Sequence, residues 1–546
     1  MATVNTLPKI SDPSGIIERL GGRQLYGDDP IVPIRELLQN SVDAIRARRF
    51  VDPRFSSSEV DKYPGKILIK LEKIADTDDY WLAVEDNGVG MSERTITRSL
   101  LDFGTSFWSS AAAAQLYPGL PSEKKFRPIG RFGIGFFSVF MYSDVVTVMS
   151  REFGSATNIW NVLSFTHGVR GRGNLSIEGM PTEIRMSDAS TRVKVRVKQG
   201  FIRSLQSVDE GSIIVSAEEG QEFRESEVTR ILERLVCALD VCVELQLLDG
   251  APAQLNAPLI YERGADVVWS VIRFPAHSSF DASFEANQKQ LLGPLGTVDD
   301  ELYGYCGVSL RYYPNAIIKS VGGMCSQEYY STGEPIAGIA EYEVAAANRL
   351  PHKLRAPQHV IDAWAKEQIR RINQMELPLA QRIHAWEHLG QLVNDIRPIY
   401  VVQTSVGPLN LDNLIVKFRE EGSAIIPVSE AQSQQFFGRL PVINVELNLD
   451  VHEIDFSRFS ICIFDEVPII SIDSSGRLRS AAKPGIYKTG WDTIHNVLCD
   501  LECKFELLLH RDYSIGRYAG LDSARHGVRN GDEILNDALE IRLLTT

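Results

Sequence analysis

Three short stretches, in chain order, hold the residues whose types and spacing could do chemistry: IRELLQNSVDAIRARR at 34–49, VEDNGVGMS at 84–92 and PIGRFGIGFFSVF at 128–140. Pro33 suits the first turn of a helix, where its missing N–H costs nothing. At about 100° per residue, Glu36, Asn40 and Asp43 then share one narrow stripe, with Ile34, Leu38, Val42 and Ile45 opposite. An ordinary amphipathic surface helix, polar side out, accounts for that pattern. Asn and Asp resist it, because in mid-helix their side chains compete for backbone hydrogen bonds. A site would justify them: a carboxylate can orient and deprotonate a water, and an amide oxygen can hold Mg2+, a hard cation.

The elements that must position these residues are legible on either side. KILIKLEKI (66–74) and YWLAVED (80–86) alternate apolar and polar residues around the turn-rich ADTDD, which predicts a β-hairpin. Asp86 ends the second strand and Asn87-Gly88 breaks it. A plain turn is the simpler reading. A carboxylate there could instead accept a hydrogen bond from an exocyclic amine, with Gly90 letting a base approach the backbone. Gly130, Gly133 and Gly135 lead into the apolar run FFSVFM, predicted helical. Loop glycines expose N–H groups and a helix N-terminus adds positive potential, so the place suits phosphate. Any Gly-rich turn can produce that spacing, and the P-loop pattern G-x-x-x-x-G-K-[ST] occurs nowhere in the chain.

The boxes and their order carry a resemblance. Glu-x3-Asn-x2-Asp-Ala at 36–44 resembles the N box of the GHKL ATPase superfamily, and Asp-Asn-Gly-Val-Gly-Met at 86–91 its adenine-binding box. Gly-Arg-Phe-Gly-Ile-Gly-Phe-Phe-Ser at 130–138 is similar to the Hsp90 form of the phosphate box, and LDFGTSF at 101–107 to the Hsp90 segment before the lid. Gly211-Ser212-Ile213-Ile214 resembles the Gly-Thr strand near the end of that domain, with Thr182 a weaker candidate.

The resemblance implies an α/β (α+β) chain whose N-terminal domain is a Bergerat-type sandwich, an antiparallel-rich sheet with helices on one face. It makes Glu36 the general base, with Arg35 tuning it, and Asn40 the ligand of Mg2+. Asp86 would take the adenine amine of ATP or ADP, and Gly90 and Met91 would line the base pocket, with Asp43, Ala44 and Gly88 in the same boxes. Residues 101–130, including Gly104 and Thr105, would form a mobile lid. Gly130, Arg131, Phe132, Gly133, Ile134, Gly135 and Phe136 would wrap the phosphates, and Ser212 would stand in the Gly-Thr strand. Lys124, Lys125, Arg127 and Arg131 either meet phosphate or form a solvated basic loop. The family usually has a Lys after the lid's Gly-Thr; here Ser106-Phe107-Trp108 stand there. Client or dedicated partner proteins and a homodimer, at least with ATP bound, are also implied.

Composition fits such a chain. Its 546 residues predict roughly three or four domains, and 44% hydrophobic content supplies their cores. No stretch approaches the ~20 apolar residues of a membrane span. The start MATVNTLPKISDPSG lacks the basic end and apolar core of a signal peptide. A net charge of -14 argues against a protein that coats nucleic acid, though a local basic patch could still bind it. Seven scattered cysteines without C-x-x-C pairs predict a reducing cytoplasm and no structural zinc.

The expected divisions are an ATP-binding domain at 1–248, a middle domain at 255–395 and an unassigned mixed α/β region at 396–546. VVWSVIRF (267–274) and VSLRYY (308–313) read as strands, and 357–374 and 379–396 as helices. GIAEYEVAAANRLPHKLR (338–355) resembles, faintly, the Hsp90 middle-domain loop that sends an arginine to the γ-phosphate, which makes Arg349 catalytic and Arg355 its runner-up. The tail mixes strand-like VINVELNLD and FSICIFDEVPIISI with a helical stretch near 491–509 and a polar, glycine-bearing stretch at 510–528. His384-Ala-Trp-Glu387-His388 matches an inverted zinc-protease signature, but Leu379, Ile383, Trp386 and Leu389 give the helix an ordinary packing face. Three functions follow: an ATP-driven chaperone or switch acting on clients, a nucleotide-gated module of a nucleic-acid or defence system, and a nucleotide sensor that hydrolyses negligibly.

Overall fold

A computed structural model of the chain describes residues 12–20, 23–55, 65–120, 126–130, 133–155, 159–186, 188–206, 225–272, 282–297, 301–310, 317–325, 334–344, 351–393, 401–404, 407–428, 461–462, 471–472, 478–479, 504–515 and 534–544. Two compact units divide it. The first takes in residues 1–273 with 318–329 and 339–355, and the second 274–317, 330–338 and 356–546.

The first unit begins with helices α1 (Pro13–Leu20), α2 (Arg23–Tyr26) and α3 (Ile31–Val51). The hairpin β1 (Lys66–Lys73) and β2 (Asp79–Asp86) follows as its alternation predicts. Short helices α4 (Glu93–Thr95) and α5 (Ala111–Leu116) lead to strands β3 (Val146–Ser150), β4 (Trp160–Phe165), β5 (Asn174–Glu178) and β6 (Thr191–Lys198). Helices α6 (Gln199–Gln206) and α7 (Glu225–Val236) and strands β7 (Cys242–Leu247) and β8 (Ala253–Gln254) close the set.

The eight strands form one sheet in the order β5-β4-β3-β6-β2-β1-β7-β8. Every pairing is antiparallel except β1 with β7, where Ile67 lies opposite Val243. Alternation along β1 and β2 explains the layers. Ile67, Ile69 and Leu71, with Tyr80, Leu82 and Val84, point into one core with Ile34, Leu38, Val42 and Ile45 of α3 and with residues of α6 and α7. Each such side chain, fully buried, contributes roughly 1.5–3 kcal/mol. The opposite face holds a smaller core of Leu68, Met149, Trp160 and Met186. It also buries an ion pair, Arg192 to Glu85 at 2.8 Å, with the Glu85 carboxylate further accepting the N–H groups of Arg185 (3.0 Å) and Met186 (2.6 Å). The pair is hydrogen-bonded on the carboxylate side, which a buried charge requires.

Several sequence expectations change. Of the two readings of the α3 stripe, the ordinary water-facing side does not hold for Glu36, 2% exposed, or Asp43, fully buried, while Asn40 is exposed. The helix is covered by the core on one face and by residues 129–130 and 133–135 on the other, because both carboxylates find partners or a cavity there. The apolar run after Gly133 forms a tighter 3-10 helix, Gly135–Met141. VVWSVIRF is not a strand but lies mostly in the helix Ala265–Ile272, whose Val268 and Ile272 bury at helical spacing. A short apolar run fits either period, and the neighbours decide. The strand expected at 308–313 instead runs Glu301–Val308, and 311–313 lie outside the described residues.

In the second unit the helices Ala282–Leu291 and Gln358–Gln374 pack on the hairpin Gly293–Thr297 and Glu301–Val308. The buried Gln368 amide joins them, accepting from Val308 N–H (3.0 Å) and donating to Leu291 C=O (3.1 Å). The helix Leu379–Leu392 forms as expected, and its H-x-x-E-H histidines are core residues: His384 and His388 are buried, and His388 Nδ1 lies 2.8 Å from Ser309 C=O. Among the described residues no group of three or more His, Cys, Asp or Glu side chains could hold a metal ion. The helix expected near 491–509 is corrected from 504 onward. Lys504–Ile515 is a strand paired with Ile534–Leu544, which also pairs with Ser423–Val428. KFELLLH satisfies both periods, and a distant strand settles it. VINVELNLD, residues 491–503 and 516–528 lie outside the described residues. Among the described residues no helix is long and apolar enough to cross a membrane.

Candidate functional site

A cavity opens between α3, the strands β2 and β6, the segment at 99–108, and residues 130 and 133–136, all within the first unit. Its wall is built from the three motifs. Glu36, Asn40 and Ala44 come from α3, one helical turn apart, so they line the cavity as a row. Asp86 closes β2, and Gly90 and Met91 continue the wall. Thr105, Gly130, Gly133, Gly135 and Phe136 complete it.

Asp86 is 3% exposed and tied on three sides. Its Oδ2 accepts from Ser41 Oγ at 3.0 Å, and its Oδ1 from Gly88 N–H at 2.9 Å and Ser190 Oγ at 3.4 Å. Burial pushes its pKa up to about 7 against those donors, which favour the charged form, and the nearby Glu85 raises it further. The result is a carboxyl held rigidly at the cavity wall, an acceptor fit for an amine. Gly90 shows why a side chain is absent here: its φ is +64°, and a Cβ would sit 1.8 Å from Arg151 C=O.

The phosphate-type loop meets α3 closely. A Cβ on Gly135 would fall 1.8 Å from Glu36 Oε2, so the carboxylate occupies the space that glycine leaves. Asp43 does not line the cavity. Its two oxygens accept the N–H groups of Ile129 (2.8 Å) and Gly130 (2.9 Å), so it fixes the root of the loop. Asn40, exposed at the cavity, presents its Oδ1 beside Gly130.

Other expected residues sit near without lining the cavity. Gly88 packs on Ala44, Ile134 is buried at the start of the 3-10 helix, and Gly104 N–H donates to Gly133 C=O at 3.1 Å. Arg131, Phe132, Ser212, Lys124, Lys125 and Arg349 lie outside the described residues. Thr182 stands exposed in a turn away from the cavity, and the threonine that lines the cavity is Thr191, the first residue of β6 and the register partner of Asp86. Ser41, Ser106, Phe107 and Trp108 also line it; Ser41 is outside the expected site residues, and the other three belong to the segment expected as lid. Ser106, in the place of the family's lysine, is 8% exposed and donates to Gly130 C=O at 2.7 Å. Trp108 stacks edge-on to Phe126 at 5.3 Å and lies beside Phe107 and Tyr117, an aromatic cluster that seats the segment on Ala47 and Val89. Ser41 was findable, since it precedes Val42 on the same helical turn as Asn40. Thr191 was not, since only the sheet register brings it to Asp86.

The donor set suits a nucleotide with a metal ion: a carboxylate acceptor for a base, a glycine loop with a carboxylate-fixed root for phosphates, and an amide oxygen beside it for a hard cation. Comparison with known proteins agrees. Residues 31–177 match the family model of the histidine kinase-, DNA gyrase B- and HSP90-like ATPases. The chain is 34% identical over 140 residues to the chaperone protein HtpG of Sulfurovum sp., a match covering 26% of this chain and 21% of that protein. It is 28% identical over 177 residues to HtpG of Pseudoalteromonas translucida (32% of this chain, 25% of that protein). It is 33% identical over 178 residues to HtpG of Chlorobaculum tepidum (32% of this chain, 25% of that protein). The matched stretch thus takes in about a quarter or less of the relatives' own length.

Proposed function

Residues 31–177 form an ATP-binding domain of the GHKL, Hsp90-like kind, and from that premise we propose that the chain is an ATP-dependent conformational switch of the Hsp90 type that hydrolyses ATP slowly and acts on client proteins. One observation carries the reading: Glu36, Asn40, Asp86 and the glycines at 130, 133 and 135, distant in sequence, border one cavity. Asp86 receives the adenine amine, and Gly90 and Met91 flank the base. The loop from Gly130 to Gly135 presents backbone N–H groups to the phosphates. Asn40 would hold Mg2+, which would offset charge on the phosphates.

Glu36 then acts as general base. It takes a proton from a water whose oxygen attacks the γ-phosphorus, the bond to the β-phosphate oxygen breaks, and ADP and phosphate result. Thr105 and Ser106 close the phosphate side from the lid. Client binding rests on the likeness to chaperone proteins and on the general requirement that a two-state element does work only where partners distinguish its states. Homodimer formation with ATP bound belongs to the same proposal.

The test is calorimetry with ADP and ATP in the presence of Mg2+, on the full chain and on Asp86→Asn. A donor facing a donor costs about 1–3 kcal/mol or more, so the variant is expected to lose binding roughly tenfold to a hundredfold with its fold intact. Equal affinity in the two proteins would sink the adenine assignment. No binding by the parent chain would sink the function.

A further inference from the structure

A carboxylate that no catalytic role uses sits behind the loop root. Glu341 is 6% exposed and its Oε1 accepts from Ser320 Oγ (2.7 Å), Gly323 N–H (3.1 Å) and Tyr261 OH (3.3 Å). Its Oε2 accepts from Gly322 N–H at 3.0 Å. The same side chain therefore ties both residues of the Gly322-Gly323 turn, which joins the strands Ile317–Val321 and Met324–Cys325. Both glycines have left-handed φ, +64° and +92°, so the turn has a conformation that few other residues would hold.

That turn abuts the nucleotide apparatus at two points. A Cβ on Gly322 would lie 2.6 Å from Ile129 Cγ1, which places the turn's backbone directly against Ile129. Gly322 C=O accepts from Arg46 Nη2 at 3.1 Å, and Arg46 stands on α3 one turn beyond Asp43. Asp43 in turn holds Ile129 and Gly130 by their N–H groups, and Gly130 borders the cavity. The loop root is thus gripped from the helix side by Asp43 and from behind by the turn.

We propose that Glu341 is a positioning residue for the phosphate loop: by fixing the Gly322-Gly323 turn against Ile129 it sets where Gly130 stands at the cavity. An interaction that removes Glu341 from the turn would loosen the phosphate end and leave the base end, built on β2 and β6, in place. As far as it concerns nucleotide, this role rests on the ATP reading above.

Two measurements on the full chain test it. The first uses hydrogen exchange without nucleotide, comparing the parent with Glu341→Gln, which keeps the shape and removes one acceptor. Peptides that span Ile129 and Gly130 are expected to exchange about tenfold faster in the variant, with those of β1 and β2 unchanged. Unchanged exchange at Ile129 and Gly130 overturns the proposal. If Glu341→Gln loses protection everywhere, Ser320→Ala, which removes one donor to the Glu341 carboxylate and adds no atom against Ile129, takes its place, and a local acceleration at the same peptides is required of it. The second measurement compares adenosine with ADP. Glu341→Gln is expected to weaken ADP about tenfold and leave adenosine within twofold. Equal loss of both, or of neither, overturns the positioning role. A parent that binds neither ligand overturns the ATP reading, and the exchange experiment still decides the place of Glu341.

Discussion

At Asp86 burial and hydrogen bonding pull against each other. Burial pushes the carboxyl up to about 7 from 3.8, while Gly88 N–H, Ser41 and Ser190 favour its charged form. The charged form is the better acceptor for an amine. ADP affinity should therefore rise between about pH 6 and 8, with a slope approaching tenfold per unit on the acid side, and Asp86→Asn should be weak and flat with pH. Calorimetry across that range checks both. The stability of the nucleotide-free chain moves the other way. A folded pKa above the unfolded one contributes stability below about pH 4 that is lost as pH rises through about 7. The melting temperature of the parent relative to Asp86→Asn should accordingly fall from pH 5 to pH 8; a constant difference would contradict the shift. Glu36 calls for a different measurement. A general base acts on the water and does little to hold the nucleotide, so Glu36→Ala should bind ATP as the parent does and hydrolyse it about 10²–10⁴-fold more slowly. A variant that turns over at the parental rate would remove Glu36 from the chemistry.

Elements decide whether those residues meet. The approach of the 3-10 helix to α3 depends on Gly135, whose missing side chain is the space of the Glu36 carboxylate. Gly135→Ala should displace Glu36, lowering turnover at least tenfold and destabilising the fold by about 1–3 kcal/mol, as overpacking does. Turnover assays and chemical denaturation read the two effects separately. On the far end of α3, Arg46 and Arg49 both pair with Asp240. Burial alone would raise the Asp240 carboxyl, and the two guanidiniums outweigh it and hold it well below the usual range. That contribution to stability is present above about pH 4 and is lost in acid.

The sequence disclosed the parts of this arrangement whose residue types are out of place locally. Asn40 and Asp43 in mid-helix and Asp86 before Asn-Gly are unusual where they stand, and the alternation of β1 and β2 is plain. Thr191, Ser106 and Trp108 were hidden because serine, threonine and aromatic residues are at home almost anywhere. They reach the cavity through the pairing of β2 with β6 and through lid contacts, neither of which leaves a local mark. The helix at Ala265–Ile272 and the strand at Lys504–Ile515 differ from the sequence expectation for a related reason: a run rich in Val, Leu or Ile is compatible with both periods until its neighbours are known.

At the scale of the whole molecule the proposal is a switch between states, and Arg349 is its proposed γ-phosphate sensor. An arginine that meets only the γ-phosphate distinguishes ATP from ADP by charge. Arg349→Ala should therefore leave ADP affinity near the parental value, slow hydrolysis, and prevent the homodimer proposed for the parent with a non-hydrolysable ATP analogue, as read by light scattering. A variant that still dimerises and hydrolyses normally would shift the role to Arg355, whose N–H donates to Glu341 C=O at 2.9 Å beside the strand Pro351–Leu354. The one parallel pairing of the sheet bears on the birth of the protein. Ile67 has to wait for Val243 before β1 is paired on both sides. At about 5–20 residues per second, the ribosome takes on the order of ten to thirty-five seconds to deliver that partner. Throughout that interval β1, in the hairpin bearing Asp86, has an open edge.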